Sequence, residues 1–254
     1  REEKTALVTV ACQGACRNCM FSVKDRISLH HLGLSHEVPV RHFGAEYLER
    51  ITFGERVWPS VVAWDILNQL LLYYRPLETK RGQADEIYAR HYRRLQALTE
   101  KPIKNTPLGF VRGSRQVYKI ADLMRDASRE YERLNLDRNR RDTLPTVLLT
   151  GSIFTRVDPF ANNEIARHLN ERGLHVLLDP LITTVEYLME ERSAELLEMP
   201  TGVIPNALTK AGARWARRTI YESVLERHPW MLVPDMAEMI KEGGAIVDRD
   251  PLSE

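Results

Sequence analysis

The sequence predicts a mixed α/β fold in which Rossmann-like parallel-sheet lobes accompany a helical middle section. The prediction comes from a β-branched apolar run near the start, a middle stretch with helical periodicity, and a strand-helix-strand pattern that follows it. We therefore expect a cysteine-containing α/β segment over residues 1–56, a helical section over 57–142 and a Rossmann-like lobe over 143–254, the last one truncated at its C-terminus.

The composition limits the classes of partner. The chain has 254 residues, of which 43% are hydrophobic and 28% are charged, so it can bury a sizeable core. Its net charge of +1 gives no general attraction to nucleic acid or membrane, and no apolar stretch approaches the roughly 20 residues of a membrane span. We expect a cytoplasmic protein without nucleic-acid or membrane partners, and the start at Arg1 predicts a fragment of a longer chain.

The three cysteines of the chain lie together after the first predicted strand, Thr5–Ala11. Cys12, Cys16 and Cys19 form a C-x3-C-x2-C motif. An odd number of cysteines cannot pair fully as disulfides, but three thiolates can surround one face of a cuboidal iron-sulfur cluster. The motif predicts such a cluster, with its fourth ligand supplied from elsewhere.

Two other interpretations of the cysteines remain open at this stage. Cys16 and Cys19, followed by His31 and His36, come close to the spacing of a zinc finger, although the gap between the pairs is short. The cysteines could equally be free thiols without a metal.

The middle section contains predicted helices separated by breakers. Val57–Arg75 repeats apolar residues at helical spacing and stops before Pro76. A charged amphipathic helix over Ala84–Glu100, a linker over Lys101–Arg115 and a helix over Gln116–Leu134 follow.

The last segment alternates strands and helices. Pro145–Gly151 predicts a strand buried on both faces, and Asp158-Pro159 predicts the start of a helix over Phe160–Arg172 that Gly173 closes. Leu174–Pro180 then completes a β-α-β unit. We expect further helices over Thr183–Leu197 and Ala207–Arg227, and a strand over Trp230–Pro234.

Specific stretches resemble the acyl-CoA dehydratase activase-related and 2-hydroxyacyl-CoA dehydratase-like proteins. Val147–Asn163, with the letters VLLTGSIFTRVDPFANN, is similar to the family segment GEIYVR-x-x-PF-x-N. Ala11–Arg17 looks like the C-x-GPCR loop of the family, and Trp64–Leu67 like its DLL helix. Ala15 and Ser152 depart from the family proline and glutamate.

The resemblance implies flavodoxin-like lobes, a 4Fe-4S cluster and an ATP-driven activase partner that delivers a low-potential electron. In the dehydratases the cluster reduces a 2-hydroxyacyl-CoA so that water leaves through a ketyl radical. Acyl-CoA or another small molecule is then the expected substrate, and a homodimer or heterodimer the expected assembly. The resemblance leaves open whether this chain is itself an enzyme.

Arg156 and Asn162 are the expected cofactor-binding residues. They lie on the loop and first helical turn after a strand, where doubly wound sheets bind ligands and helix starts favour anions such as a CoA phosphate. A structural interpretation competes, in which Asp158 caps the helix and Phe160 packs into the core.

Two other functional classes stay open beside the iron-sulfur reductase or dehydratase component. One is a non-catalytic α/β scaffold or regulatory domain of a larger activase-related protein. The other is a radical S-adenosylmethionine enzyme, since C-x3-C-x2-C after a first strand is also that superfamily's signature. Asn18 replaces the usual aromatic residue before its last cysteine, which ranks this class lowest.

Overall fold

A computed structural model of the protein describes residues 5–10, 18–43, 57–100, 109–141, 143–186 and 203–233, together with positions 235, 239 and 242. The chain divides into two compact units, Arg1–Gly54 and Glu55–Glu254. Helices dominate the described residues, and parallel strands occur in both units. The predicted mixed α/β class is confirmed.

The first unit contains a parallel β-α-β arrangement. Strand β1 (Leu7–Val10) is followed by helix α1 (Asn18–His31) and strand β2 (Val40–Phe43). The strands pair in parallel, with Leu7 opposite Val40 and Val10 opposite Phe43. Because parallel strands need a crossover connection, α1 carries the chain back to the start of the neighbouring strand.

The second unit is built around one buried helix, α2 (Trp58–Tyr74), which is apolar on nearly every side. Such a helix is stable only when other elements surround it. Three long helices pack against it: α3 (Gln83–Glu100), α4 (Gly109–Glu132) and, after the strands described next, α8 (Val203–Leu225). Its largest fully buried side chains include Trp58, Ile66, Leu67 and Leu70.

A second parallel β-α-β arrangement lies beside this helical group. The short helix α5 (Arg138–Arg141) precedes strand β3 (Thr146–Leu149), helices α6 (Ile153–Val157) and α7 (Ile165–Glu171), and strand β4 (His175–Leu178). Strands β3 and β4 pair in parallel, with Thr146 opposite His175. Residues 181–186 are again helical.

The strands are fixed to the helical group through α2. Leu72 packs with Val176 and Leu178 of β4 in one apolar cluster. Asn170, which is 2% exposed, donates from Nδ2 to the carbonyl oxygens of Leu72 and Leu174, both at 3.0 Å. Because this buried amide donates both to α2 and to the residue before β4, it fixes the position of α7 and β4 relative to α2.

The structure corrects several local predictions. Strand β3 is not buried on both faces, because Leu148 is 59% exposed. Helix α7 begins at Ile165 rather than at 160, so Phe160 lies in a preceding turn with 95% of its surface exposed instead of in the core. Residues 230–233 are irregular, with a turn and a bend at 230–231, and do not form the predicted strand.

The predicted linker over 101–115 is also partly wrong, because α4 already begins at Gly109. Other boundaries agree closely with the sequence. Helices α2 and α3 match their predicted ranges to within a residue or two at each end. Gly173 ends α7 with a φ of +81°, as a helix-closing glycine should.

Candidate functional site

The cysteine motif follows the carboxyl end of a parallel strand. Strand β1 ends at Val10 and α1 begins at Asn18, so the chain between them carries Cys12 and Cys16, which lie outside the described residues. Cys19 is the second residue of α1. The motif therefore spans a strand-to-helix connection, the position at which α/β proteins commonly bind ligands.

The zinc-finger interpretation does not agree with the extent of α1. Cys19 lies in the first turn of this helix and His31 is its last residue. A rise of 1.5 Å per residue separates their backbones by about 18 Å, whereas zinc bonds are only about 2.0 to 2.3 Å long. Cys19 and His31 cannot bind the same zinc ion while α1 is intact.

Elsewhere in the described part of the chain, no group of three His, Cys, Asp or Glu side chains is placed to hold a metal ion. The three thiols of the cysteine motif are the type of ligand that iron-sulfur clusters prefer.

A second candidate site lies where β3 and β4 end. Arg156 is on α6, which follows β3, and Asp179 comes directly after β4. The guanidinium of Arg156 forms an ion pair with Asp179 and donates from Nη2 to Thr184 Oγ1 at 3.3 Å. Thr150 Oγ1 donates to the same carboxylate at 3.3 Å. The carboxyl ends of the two strands are thus joined by one charged cluster.

Burial makes this cluster unlike a surface ion pair. Arg156 is only 5% exposed, and its Nε–H has no acceptor among the described residues. Asp179 retains a quarter of its side-chain surface. Removing one partner of such a pair leaves a charge with little water around it, and therefore costs several kcal/mol, about 3 to 5 in comparable cases.

Asp65 extends the cluster into the centre of the second unit. It lies on α2, is 2% exposed, and its Oδ1 and Oδ2 accept the backbone N–H groups of Leu181 and Ile182, each at 2.9 Å. The carboxylate therefore caps the helical segment 181–186 from a distant element. Burial raises the pKa of Asp65 to about 7, although the two backbone N–H groups and the charge of Arg156 oppose that increase.

Asn162 lies next to Arg156 and shapes the turn that follows it. Its Nδ2 donates to the carbonyl oxygen of Arg156 at 3.2 Å, and its Oδ1 accepts the N–H of Ile165 at 3.4 Å. Asn163 and Glu164 adopt left-handed φ values of 53° and 51°. The structure thus brings Arg156 and Asn162 together, with both side chains engaged in contacts within the protein.

The predicted helix cap at Asp158 is wrong: its Oδ1 accepts the N–H of Phe160 at 2.9 Å within the turn that precedes α7, and α7 itself begins at Ile165. Sequence reasoning missed Asp65 and Asp179 as members of the cluster. The available signals were a single carboxylate inside an apolar helix and an Asp-Pro pair directly after a strand.

Among the described residues, no helix is both long enough and apolar enough to cross a membrane. No family model, curated protein or solved structure matches this chain.

Proposed function

We propose that the chain is the iron-sulfur cluster domain of a 2-hydroxyacyl-CoA dehydratase or activase-related system. In this proposal it binds a 4Fe-4S cluster and takes part in low-potential electron transfer from an ATP-dependent activase partner. The observation that carries the proposal is the location of C-x3-C-x2-C after β1 and at the start of α1 in a parallel β-α-β unit. The sequence resemblance over Ala11–Arg17 includes Cys12 and Cys16, and Cys19 is an additional thiol.

The electrostatics near the motif support an anionic group. The N-terminal end of α1 carries a partial positive charge, which stabilises anions close to it. Lys24 and Arg26 on the same helix add exposed basic side chains. A cluster held by three thiolates leaves one iron for a fourth ligand or a substrate.

A pair of variants tests the proposal. Replacing Cys16 with serine removes one thiolate, so the chain should lose its iron while the second unit stays folded. His31→Ala is the matched control, since it removes the zinc-type ligand at the far end of α1 and should leave iron unchanged. Iron that is unaffected by Cys16→Ser, or zinc that is lost in His31→Ala, would contradict the assignment.

The second candidate function is a non-catalytic scaffold or regulatory domain. The contacts of Arg156 and Asn162 favour it, because Asp179, Thr184 and the backbone already engage the two residues expected to bind a cofactor. Protein prepared without oxygen that contains neither iron nor sulfide would select this function over the first.

A further inference from the structure

An open cavity lies in the second unit, away from the Arg156 cluster. Its volume is about 550 Å³, within the range of small-molecule sites. Its lining comes from the ends of α2 and α4, the loop after α4, α5 and the residues after α8. The described lining residues are Tyr73, Tyr74, Glu132, Leu134, Asn135, Leu136, Arg141 and Arg227.

The charges of the lining favour an anion. Among the described lining residues, Arg141 and Arg227 each contribute a guanidinium and Glu132 contributes a carboxylate. Glu132 forms an ion pair with Arg227, in which Arg227 Nε lies 3.2 Å from Glu132 Oε2. The Glu132 side chain is 40% exposed and the Arg227 side chain 29%. Arg141 donates from Nε to the hydroxyl of Tyr73 at 3.2 Å. The described part of the lining thus holds two guanidiniums beside one carboxylate.

The aromatic wall of the cavity is held firmly. Tyr73 stacks on Trp230 with ring centroids 3.8 Å apart and on His175 at 4.8 Å. Tyr74 stacks on the fully buried Tyr131 at 5.2 Å. These contacts cover the faces of Tyr73 and hold both rings in place, so the part of the lining that they form is preformed.

Tyr74 also belongs to a buried chain of hydrogen bonds through His228 to Ser128. The Tyr74 hydroxyl is 3.4 Å from Nδ1 of His228, and Nε2 of His228 is 2.9 Å from Ser128 Oγ. Burial and the nearby charges of Arg227 and Arg141 lower the pKa of His228 to about 4. The histidine is therefore neutral at physiological pH, and the positive charge of the site comes from the two arginines.

We propose that this cavity binds a small organic anion, a carboxylate or phosphate ester attached to an apolar body. The guanidiniums of Arg141 and Arg227 bind the anionic group, while Tyr73, Tyr74 and the two leucines contact the apolar part. Arginine suits this role because its planar fork matches carboxylate and phosphate oxygens. This proposal does not depend on the proposed iron-sulfur cluster, and the residues of the cavity all lie in the second unit.

The test is a titration of the ¹⁵N-labelled full chain with three probes of similar size: benzoate, phenyl phosphate and the neutral benzyl alcohol. The reporter is the indole N–H signal of Trp230, which stacks on Tyr73 and is assigned by its loss in Trp230→Phe. Both anions should shift this signal in a saturable manner, and benzyl alcohol should bind at least about tenfold more weakly, as expected when charge-assisted hydrogen bonds are lost. Comparison of the two anions identifies the preferred head group.

Charge variants separate binding at this cavity from general attraction. Arg227→Gln should weaken anion binding about tenfold, whereas Glu132→Gln should tighten it several-fold because a competing carboxylate is removed. Arg218→Gln is the matched control, since Arg218 forms a surface ion pair on α8, with Glu222 at 2.6 Å, and is not among the residues that line the cavity. Thermal unfolding of each variant establishes that it is folded.

The proposal is overturned if neither anion shifts the signal at concentrations up to about 10 mM. It is also overturned if benzyl alcohol binds as well as the anions do, or if Arg227→Gln and Arg218→Gln behave alike. Opposite effects of Arg227→Gln and Glu132→Gln would establish the anion site.

Discussion

Replacing Asp65 with asparagine should change how the stability of the second unit depends on pH. The carboxyl group is 2% exposed and binds the N–H groups of Leu181 and Ile182. Asparagine has nearly the same shape but does not titrate. It offers a single acceptor oxygen for two N–H groups, so the variant should be about 1 to 3 kcal/mol less stable than the wild type at low pH.

The expected magnitude follows from the pKa of Asp65, which is raised from 3.8 to about 7. Because the pKa is higher in the folded chain than in the unfolded chain, the folded chain holds the proton more tightly. The stability linked to the protonated carboxyl is present below about pH 4 and disappears as the pH rises through about 7. The stability lost between about pH 4.5 and pH 8 is about 3 kcal/mol, because each pKa unit corresponds to about 1.4 kcal/mol.

His228 makes the opposite contribution. Its pKa is lowered to about 4, so its contribution to stability increases with pH up to the ordinary histidine value of 6.5. The pH profile of the wild type alone therefore does not isolate Asp65. The difference between the wild type and Asp65→Asn does, because His228 is present in both proteins.

The assay is urea unfolding followed by tryptophan fluorescence at several pH values. All four tryptophans, Trp58, Trp64, Trp215 and Trp230, belong to the second unit, so the signal reports on that unit alone. The stability advantage of the wild type should shrink by about 3 kcal/mol from about pH 4.5 to pH 8, and should vanish or reverse. Ser60→Ala on the same helix is a non-titrating control. Parallel profiles for the wild type and Asp65→Asn would refute the reasoning.

Two further changes test the packing around α2 and the turn after α7. Gln69→Leu should destabilise the second unit by about 2 kcal/mol, because buried Gln69 accepts the N–H of Leu232 at 2.7 Å and donates to the carbonyl oxygen of Leu232 at 3.0 Å. Hydrogen exchange of the Leu232 amide should accelerate in this variant. An unchanged exchange rate would contradict the prediction. Gly173→Ala should cost about 1 to 2 kcal/mol because its φ of +81° is strained for alanine. Denaturant unfolding measures that cost, and full rescue by Arg140→Ala would show instead that contact with the nearby Arg140 side chain causes it.

The sequence was most informative where periodicity and capping residues agreed. Helices α2 and α3 are bounded by the Arg75-Pro76 pair and by the acidic first turn of α3. Glu78 further fixes the start of α3, since its carboxylate oxygens accept the N–H groups of Gly82 and Ala84, both at 2.7 Å. These are local signals, and sequence reasoning detects local signals well.

The sequence was misleading where tertiary packing outweighed local preference. Gly109 and Gly113 predicted a linker, yet both belong to α4, where Gly113 is buried. Packing of α4 against α2 and α8 explains why the helix tolerates them. Phe160 was expected in the core because the helix was expected to begin at that residue. The helix begins five residues later, and the ring is left in an exposed turn.

The charged cluster could not be assembled from sequence alone. Asp65, Arg156 and Asp179 come from three different elements, and only the packing of α2 against β4 brings them close together. Arg156 was predicted from its position after a strand, in a segment that resembles the family, and such a position does not reveal the partners of a residue. The cysteine motif is the opposite case, since its spacing and its place after a strand are visible in the sequence, and the structure adds that Cys19 belongs to the first turn of α1.

The most direct test of the proposed function is the iron and acid-labile sulfide content of the wild-type chain, purified without oxygen, together with its electron paramagnetic resonance spectrum after reduction. The proposal predicts iron and sulfide in near-equal amounts and a signal from a reducible cluster. Zinc in place of iron, or no metal at all, would contradict it.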